Sequence, residues 1–102
     1  MRNLTLRHLR AATAVHRAGK IVLAAKTLGL TQPAVTLQIK ELETGLGLPL
    51  FTRSRDGLRP TDAGRAVIDA AAAIEARLLA MQAEIDAIKG VRHGVLRLGV
   101  VS

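Results

Sequence analysis

Two glycines, Gly19 and Gly29, divide the first part of the chain into short segments with helical periodicity. One segment ends at about Ala18, a second covers residues 21–28, and a third covers residues 31–44. Glycine readily adopts the left-handed backbone conformation that ends a helix, so each glycine marks a tight connection. Three short helices in immediate succession are therefore the strongest constraint on the fold.

The second and third helices have the features of a helix-turn-helix motif. Ala24 and Ala25 are small enough to let the two helices cross closely, and the turn at Gly29 has the length typical of the motif. Thr31 is placed to cap the third helix, and Pro33 lies in its first turn. The helical spacing predicts one buried face, which comprises Val35, Ile39 and Leu42.

The opposite face of the third helix is either an ordinary solvated surface or a surface that reads a ligand. A recognition helix enters the major groove of DNA with its N-terminal residues nearest the base edges. Gln32 can form paired hydrogen bonds with adenine, whereas Thr36 and Leu37 can contact the thymine methyl group. We therefore predict an A·T-rich half-site, with base contacts from Gln32, Pro33, Thr36 and Leu37 and a phosphate contact from Lys40.

The charge distribution indicates a polyanionic partner. The 102 residues contain 15 Lys and Arg against 8 Asp and Glu, which gives a formal charge of +7 and a pI near 11.4. Residues 1–40 carry no acidic residue and seven basic ones, namely Arg2, Arg7, Arg10, Arg17, Lys20, Lys26 and Lys40. Nucleic acid and an anionic membrane surface both fit this charge, and a protein-interaction module with incidental charge is a third alternative.

Two observations separate these alternatives. The chain has a single aromatic residue, which disfavours single-stranded nucleic acid because such binding relies on stacking. The basic residues of the first helix do not oppose a large apolar face with aromatic residues, which disfavours a membrane-surface peptide. Double-stranded DNA is therefore the favoured partner.

A basic hairpin is predicted after the third helix. Asp56-Gly57 is a two-residue hairpin signal between extended runs at residues 51–53 and 58–59. Pro60 closes the hairpin, and Thr61 or Asp62 caps the next helix. The arginines of the hairpin either keep a charged loop soluble, or contact DNA phosphates or a narrow minor groove. For Arg53 a third alternative is that it braces the hairpin. These arginines are Arg53, Arg55 and Arg59.

The longest predicted element is a helix over residues 62–89. Its apolar residues alternate spacings of four and three, a mean of 3.5, which is the repeat of a coiled-coil seam. So narrow a stripe on so long a helix favours pairing with the same helix of a second copy. The predicted seam comprises Val67, Ala71, Ile74, Leu78, Met81, Ile85 and Ile88.

Together these elements predict a mainly α fold. It consists of a winged helix-turn-helix domain with a small β-hairpin wing at residues 1–60 and a linker and dimerisation helix at residues 61–89. We expect Gly90 to end that helix and residues 90–102 to form the first strand of a further domain, because the run is mostly apolar like a buried parallel strand.

No residue pattern predicts catalysis or metal binding, so we expect a protein that is not an enzyme. Cysteine is absent, which excludes disulfides and thiolate metal sites. His8 and His16 lie about two helical turns apart, roughly 12 Å, too far to share a metal ion. Glu41 and Glu43 point in different directions on the third helix, and we expect Glu43 to bond a basic residue instead. With no signal peptide pattern and no apolar run of membrane-spanning length, a cytoplasmic location is expected, without cofactor or membrane partner.

These segments resemble the N-terminal part of LysR-type bacterial transcriptional regulators. The resemblance is carried by the pair Ala24–Ala25 and by LxLTQPAV (28–35), QIKELE (38–43), LFTR (50–53), LRPTDAG (58–64) and GVLRLGVVS (94–102). It implies a sequence-specific transcription factor that binds a dyad-symmetric promoter site as a winged-helix homodimer with antiparallel linker helices. It also implies a C-terminal domain that binds a small-molecule effector, a tetrameric full-length protein, contact with RNA polymerase, and association with the bacterial nucleoid.

The resemblance also bears on individual residues. It places base contacts at the positions of Gln32, Pro33, Thr36 and Leu37. Many relatives have arginine, which can bind guanine, where this chain has Leu37, so guanine recognition is disfavoured here. Lys20 replaces a common serine, and a cation at a helix N-terminus is unfavourable unless a phosphate lies close. The predicted phosphate or minor-groove contacts are Thr31, Lys40, Lys20, Arg53, Arg55 and Arg59. A narrower resemblance, in MRNLTLRHLRA, LTQPAVTLQI and GVVS, is to the regulators of Calvin-cycle carbon-fixation operons.

Overall fold

The three short helices form at the positions that the glycines predict. The structure is a computed structural model that describes the backbone of residues 3–101 and the side chains of residues 3–91; Arg2 and Ser102 lie outside the described residues. Thr5 precedes the first helix as its N-cap, and Gly19 and Gly29 have φ angles of 75° and 66°. The helices are α1 (Leu6–Ala18), α2 (Ile21–Leu28) and α3 (Gln32–Leu46).

Helix α3 ends two residues later than predicted. Gly47, with φ of 80°, adopts the left-handed conformation, and Gly45 remains inside the helix. A Cβ added at Gly45 would lie 3.3 Å from the side chain of Leu4, so the missing side chain leaves room for the N-terminal segment. The left-handed conformation and the hydrogen bond from its N–H to the Glu43 carbonyl oxygen identify Gly47 as the glycine that ends α3.

The three helices enclose a small aliphatic core. On α3 the predicted buried face is confirmed, with Val35 and Leu42 fully buried and Ile39 8% exposed. On α1 the helical spacing predicts a buried stripe of Leu6, Leu9, Ala12 and Val15; Ala12 and Val15 are buried as predicted, whereas Leu6 is 37% exposed. Apolar residues occupy several faces of α1, so their spacing alone does not select the face that packs. The buried core residues are Ala11, Ala12, Ala14, Val15, Ala24, Ala25, Val35, Ile39, Leu42 and Leu50.

The wing is a two-stranded antiparallel hairpin. Strand β1 (Phe51–Ser54) pairs with β2 (Gly57–Pro60), with Ser54 opposite Gly57. The turn is Arg55-Asp56, one residue earlier than predicted, and Gly57 lies in the strand with φ of 125°. The Ser54 hydroxyl donates to the Gly57 carbonyl oxygen at 2.8 Å, which favours this register over the predicted one.

The fourth helix is connected to the core through the residues that flank the wing. The Thr61 hydroxyl accepts from the Gly64 N–H at 3.0 Å, which confirms the predicted cap, and donates to the Pro49 carbonyl oxygen at 2.6 Å. The Glu43 carboxylate accepts from the backbone N–H of Leu50 at 2.8 Å. The expectation of a basic partner for Glu43 is therefore wrong, because the fold places a buried backbone donor within its reach.

Helix α4 spans Asp62–Val101, so residues 90–101 do not form the predicted strand and Gly90 does not end the helix. A strand needs a neighbouring strand to satisfy its backbone N–H and C=O groups, whereas a helix satisfies them internally. The prediction that residues 90–102 belong to a further domain stays a prediction. The compact unit that contains α1, α2, α3 and the wing extends to Ala72, beyond the predicted boundary at residue 60. The start of α4 belongs to this unit because Ala71 is buried there, only 2% exposed. The rest of α4 forms a second unit.

Candidate nucleic-acid interface

The outer face of α3 is an open surface built from residues at its N-terminal half. Gln32, Pro33, Thr36, Leu37 and Lys40 are all exposed and line one shallow depression. Leu37, a large apolar side chain, is 58% exposed. The four residues predicted to contact bases and the lysine predicted to contact phosphate therefore share one continuous face, opposite the face that packs into the core.

The turn before α3 fixes the direction in which this face points. The backbone N–H of Leu30 donates to the Ala25 carbonyl oxygen at 2.9 Å, and the backbone N–H of Gly29 donates to the Lys26 carbonyl oxygen at 3.2 Å. These two bonds form a Schellman motif that ends α2. The Thr31 side chain accepts from the Ala34 N–H at 3.2 Å, which confirms the predicted cap. With its start capped and its inner face fully buried, α3 presents its outer residues on a rigid support.

A second part of the candidate interface is a cleft between the wing and the start of α2. Its cationic residues are Lys20, Arg53 and Arg55, and Gln32 reaches the same cleft from α3. Lys20 is the N-cap of α2 and makes no side-chain cap hydrogen bond. The carboxylate of Asp56 also lines the cleft, so its charged side chains sum to a net positive charge. An anion in this cleft would therefore be attracted, and it would lie near the N-terminal N–H groups of α2. The wing and the outer face of α3 thus meet at Gln32, which lines both surfaces.

The arginines of the wing differ in their surroundings. Arg59 lies 3.9 Å from the Asp56 carboxylate, and both side chains are largely exposed, so the ion pair is weak and open to exchange. The backbone of Arg53 pairs with Leu58 in the hairpin, but among residues 3–91 its side chain has no hydrogen-bond or ion-pair partner that would brace the hairpin. The three arginines therefore keep their charge available for an external anion.

Sequence reasoning missed a buried histidine that joins α1 to α3. His8 is 8% exposed; its Nδ1 accepts from the Thr5 backbone N–H at 3.0 Å, and its Nε2 lies 3.1 Å from the Glu41 carboxylate. These partners define the tautomer with the proton on Nε2, which donates to Glu41. The sequence shows only that His8 follows the cap Thr5 by three residues and that Glu41 lies one turn beyond Leu37. This pattern did not indicate a contact between the two side chains.

Nothing in the described part of the chain adds a chemical site. Among residues 3–91 there is no cluster of three or more potential metal ligands. No helix within the described residues has the length and apolarity to cross a membrane. The remaining feature of chemical interest is the positively charged surface formed by the outer face of α3 and the wing.

Comparison with known proteins identifies the family. Residues 6–65 match the model for bacterial regulatory helix-turn-helix proteins of the lysR family. The chain is 59% identical over 102 residues to the HTH-type transcriptional regulator CbbR of Rhizobium meliloti (strain 1021), and 40% identical over 100 residues to the RuBisCO operon transcriptional regulator of Allochromatium vinosum. The alignments cover 100% and 98% of this chain but 33% of each relative, so the chain spans about a third of their length.

Solved structures show the same fold. The CbnR_DBD–DNA complex matches with a TM-score of 0.69 and 36% identity, over 79% of this chain and 92% of that chain. The BenM_DBD/catB site 1 DNA complex matches with a TM-score of 0.77 and 29% identity, over 83% of this chain and 96% of that chain. These likenesses confirm the winged helix-turn-helix with a long C-terminal helix. The chain belongs to the LysR family of bacterial regulatory helix-turn-helix proteins.

Proposed function

We propose that this chain is the DNA-binding part of a transcription regulator and that it reads double-stranded DNA with the outer face of α3. The observation that carries the proposal is the composition of that face, where a glutamine, a threonine and two apolar residues are exposed together beside a lysine. These are the groups that bind base edges in the major groove. The CbnR_DBD and BenM_DBD structures are complexes of those relatives with DNA, which supports the proposal.

Each side chain on this face has a distinct role in the proposal. Gln32, at the first position of α3, reads adenine through paired hydrogen bonds. Pro33, Thr36 and Leu37 contact thymine methyl groups, and the exposure of Leu37 leaves it free to do so. Because Leu37 has no donor, this position does not read guanine. The preferred half-site is therefore A·T-rich.

The phosphate contacts come from residues on either side of the reading face. Lys40 lies one helical turn beyond Thr36 and meets one strand, and Lys20, Arg53 and Arg55 meet the other from the cleft. Thr31 and Arg59 complete the set predicted from the sequence. Such contacts supply most of the affinity and make binding strongly salt-dependent.

The proposal extends to a homodimer on a dyad-symmetric promoter site. Along the second unit of α4, four seam residues are exposed in a single chain, with Ile74, Met81, Ile85 and Ile88 37%, 51%, 41% and 56% exposed, and Leu78 is half-buried. A second copy of the helix, antiparallel to the first, would cover this stripe. Val67 instead packs against the core of its own chain, and Ala71 is already buried in the single chain, so the seam of the dimer lies along Ile74, Leu78 and the residues after them.

The names of the relatives suggest the regulated genes and the rest of the protein. We infer that the regulated operon encodes carbon-fixation enzymes, because the chain is similar along its full length to regulators named for CbbR and for the RuBisCO operon. The relatives are about three times as long as this chain, which supports a longer full-length protein. We infer from the family resemblance that its C-terminal domain binds a small-molecule effector and that the full-length protein forms tetramers and contacts RNA polymerase. A bacterial cytoplasmic location on the nucleoid follows from this function.

Selection of bound duplexes from a random-sequence library tests the proposal. We expect an enriched, A·T-rich, dyad-symmetric site. On that duplex Gln32→Ala should weaken binding by about 1–3 kcal/mol, with little change on a scrambled duplex of the same composition. Gln82→Ala, an exposed glutamine on α4, is the matched control and should change neither. Failure to enrich any site, or equal losses on both duplexes for Gln32→Ala, would contradict base reading by α3.

A further inference from the structure

The wing is joined to the turn between α1 and α2 through two glycines. The backbone N–H of Leu58 donates to the carbonyl oxygen of Gly19 at 2.8 Å. Gly57 has φ of 125°, and a Cβ added there would lie 2.5 Å from that same oxygen. On its other side the Gly57 carbonyl oxygen accepts from the Ser54 hydroxyl at 2.8 Å. We call this arrangement of Gly19, Ser54, Gly57 and Leu58 the wing joint.

The wing joint admits only glycine at position 57 for two independent reasons. A φ of 125° lies in a region that residues with a side chain rarely adopt. A contact of 2.5 Å between a carbon and a backbone oxygen is far below ordinary van der Waals distance, so a side chain would push the wing away from Gly19. The two elements therefore approach as closely as their backbones allow.

The wing joint lies directly beside the cations of the cleft. Gly19 immediately precedes Lys20, and Ser54 lies between Arg53 and Arg55, all of them on the cleft that Gln32 also reaches. A change in the distance between the wing and the α1–α2 turn would therefore move the wing arginines relative to Lys20 and to α3.

We propose that Gly57 and Gly19 are positioning residues that hold the wing arginines and Lys20 around one cleft, where they contact DNA phosphates while Gln32 contacts a base. This inference rests on the proposed function and adds a division of roles to it. The wing joint determines the number of phosphate contacts, whereas α3 determines the sequence that is read. Loosening the joint removes phosphate contacts without changing the preferred sequence.

Gly57→Ala tests this division, with Gly47→Ala as the matched control. Both variants place alanine at a positive φ, but a Cβ at Gly47 meets nothing within 4 Å, so the control adds backbone strain without displacing the wing. Binding of the full chain is measured by fluorescence anisotropy between 50 and 200 mM salt, on the duplex that the wild type selects and on a scrambled duplex.

The expected result is a smaller salt dependence for Gly57→Ala on both duplexes. Each lost phosphate contact reduces the fall in affinity over this fourfold salt range by about 3.5-fold, so the loss of one or two contacts gives about 3.5- to 12-fold. The ratio of affinities for the two duplexes should stay at the wild-type value, and Gly47→Ala should match the wild type in both measurements. A folded Gly57→Ala with an unchanged salt dependence, or with a changed preference between duplexes, would overturn the proposal.

A double-mutant comparison separates positioning from a general loss of stability. Arg55→Ala should reduce the salt dependence in the wild type but have little further effect in Gly57→Ala, because the arginine is already displaced there. Equal effects in the two backgrounds would refute the coupling.

If Gly57→Ala does not fold by circular dichroism, Ser54→Ala replaces it. This variant removes only the 2.8 Å bond to the Gly57 carbonyl, and Thr13→Ala, which removes a hydroxyl bond to the Leu9 carbonyl within α1, is its control. Ser54→Ala should reduce the salt dependence of binding, and Thr13→Ala should not. A salt dependence for Ser54→Ala equal to that of Thr13→Ala and the wild type would overturn the proposal. A wild type that selects no duplex would instead contradict the proposed function.

Discussion

Gly64, in the first turn of α4, lies where a side chain would meet the backbone of another segment. A Cβ added there would overlap the carbonyl oxygen of Leu50 and come 2.9 Å from its carbonyl carbon. Leu50 is fully buried, and its carbonyl oxygen accepts from the Thr61 N–H at 2.9 Å. Gly64→Ala must therefore displace either the start of α4 or a core residue.

The magnitude follows from three contributions. Alanine is favoured over glycine within a helix by about 1 kcal/mol, which stabilises the variant. Against this, overpacking of a filled site costs about 1–3 kcal/mol, and separating the buried Leu50–Thr61 hydrogen bond costs about 1–3 kcal/mol. The net prediction is a destabilisation of about 3 kcal/mol, or a melting temperature about 12–24 °C lower for a unit of this size.

Two other helical glycines provide graded controls. A Cβ at Gly45 would meet only the movable side chain of Leu4, at 3.3 Å, and a Cβ at Gly90 would meet nothing within 4 Å. Thermal unfolding followed by calorimetry and far-ultraviolet circular dichroism should therefore rank Gly64→Ala as severe, Gly45→Ala as close to neutral, and Gly90→Ala as neutral or slightly stabilising. A Gly64→Ala protein that melts within about 2 °C of the wild type would refute the close approach of α4 to Leu50.

Three further predictions concern the cap of α3, its connection to the wing, and the dimer. Thr31→Ala should lower the free energy of unfolding by about 1 kcal/mol in urea denaturation, because the Ala34 N–H loses its acceptor; an unchanged midpoint would contradict the cap. Glu43→Ala should cost about 1.5–3 kcal/mol by the same assay, whereas Glu84→Ala, on an exposed part of α4, should cost almost nothing. Leu78→Glu should give monomers in light scattering, and Leu79→Glu, off the seam and 71% exposed, should not; equal masses for the two variants would contradict the seam.

The local elements with short-range signals were predictable from sequence. Gly19 and Gly29 marked the ends of α1 and α2, and Thr31 marked the start of α3, because capping and left-handed glycine depend on a few adjacent residues. The exposed outer face of α3 was predictable for the same reason, since a 3.6-residue period separates the buried residues of the helix from its exposed ones. The resemblance to LysR regulators then supplied the context in which an exposed polar face is expected to contact DNA.

Features that depend on distant residues were not predictable. The wing register differs by one residue because Gly57 is held against Gly19, nearly forty positions earlier in the chain. The partner of Glu43 is a backbone N–H that only the folded wing brings within 2.8 Å. The run after Gly90 was predicted as a strand from its apolar residues, but strand formation requires a neighbouring strand, and a helix satisfies its own backbone.

The sequence by itself therefore determined where α1 and α2 end and where α3 begins, which face of α3 is exposed, and the chemistry that this face presents. Tertiary structure alone decided how the wing, Lys20 and α3 are placed around one cleft, because that placement rests on the contact of Gly57 with Gly19 and on the approach of Gly64 to Leu50. In both contacts the decisive feature is the absence of a side chain. Such an absence permits a close approach without specifying which distant backbone will fill the space.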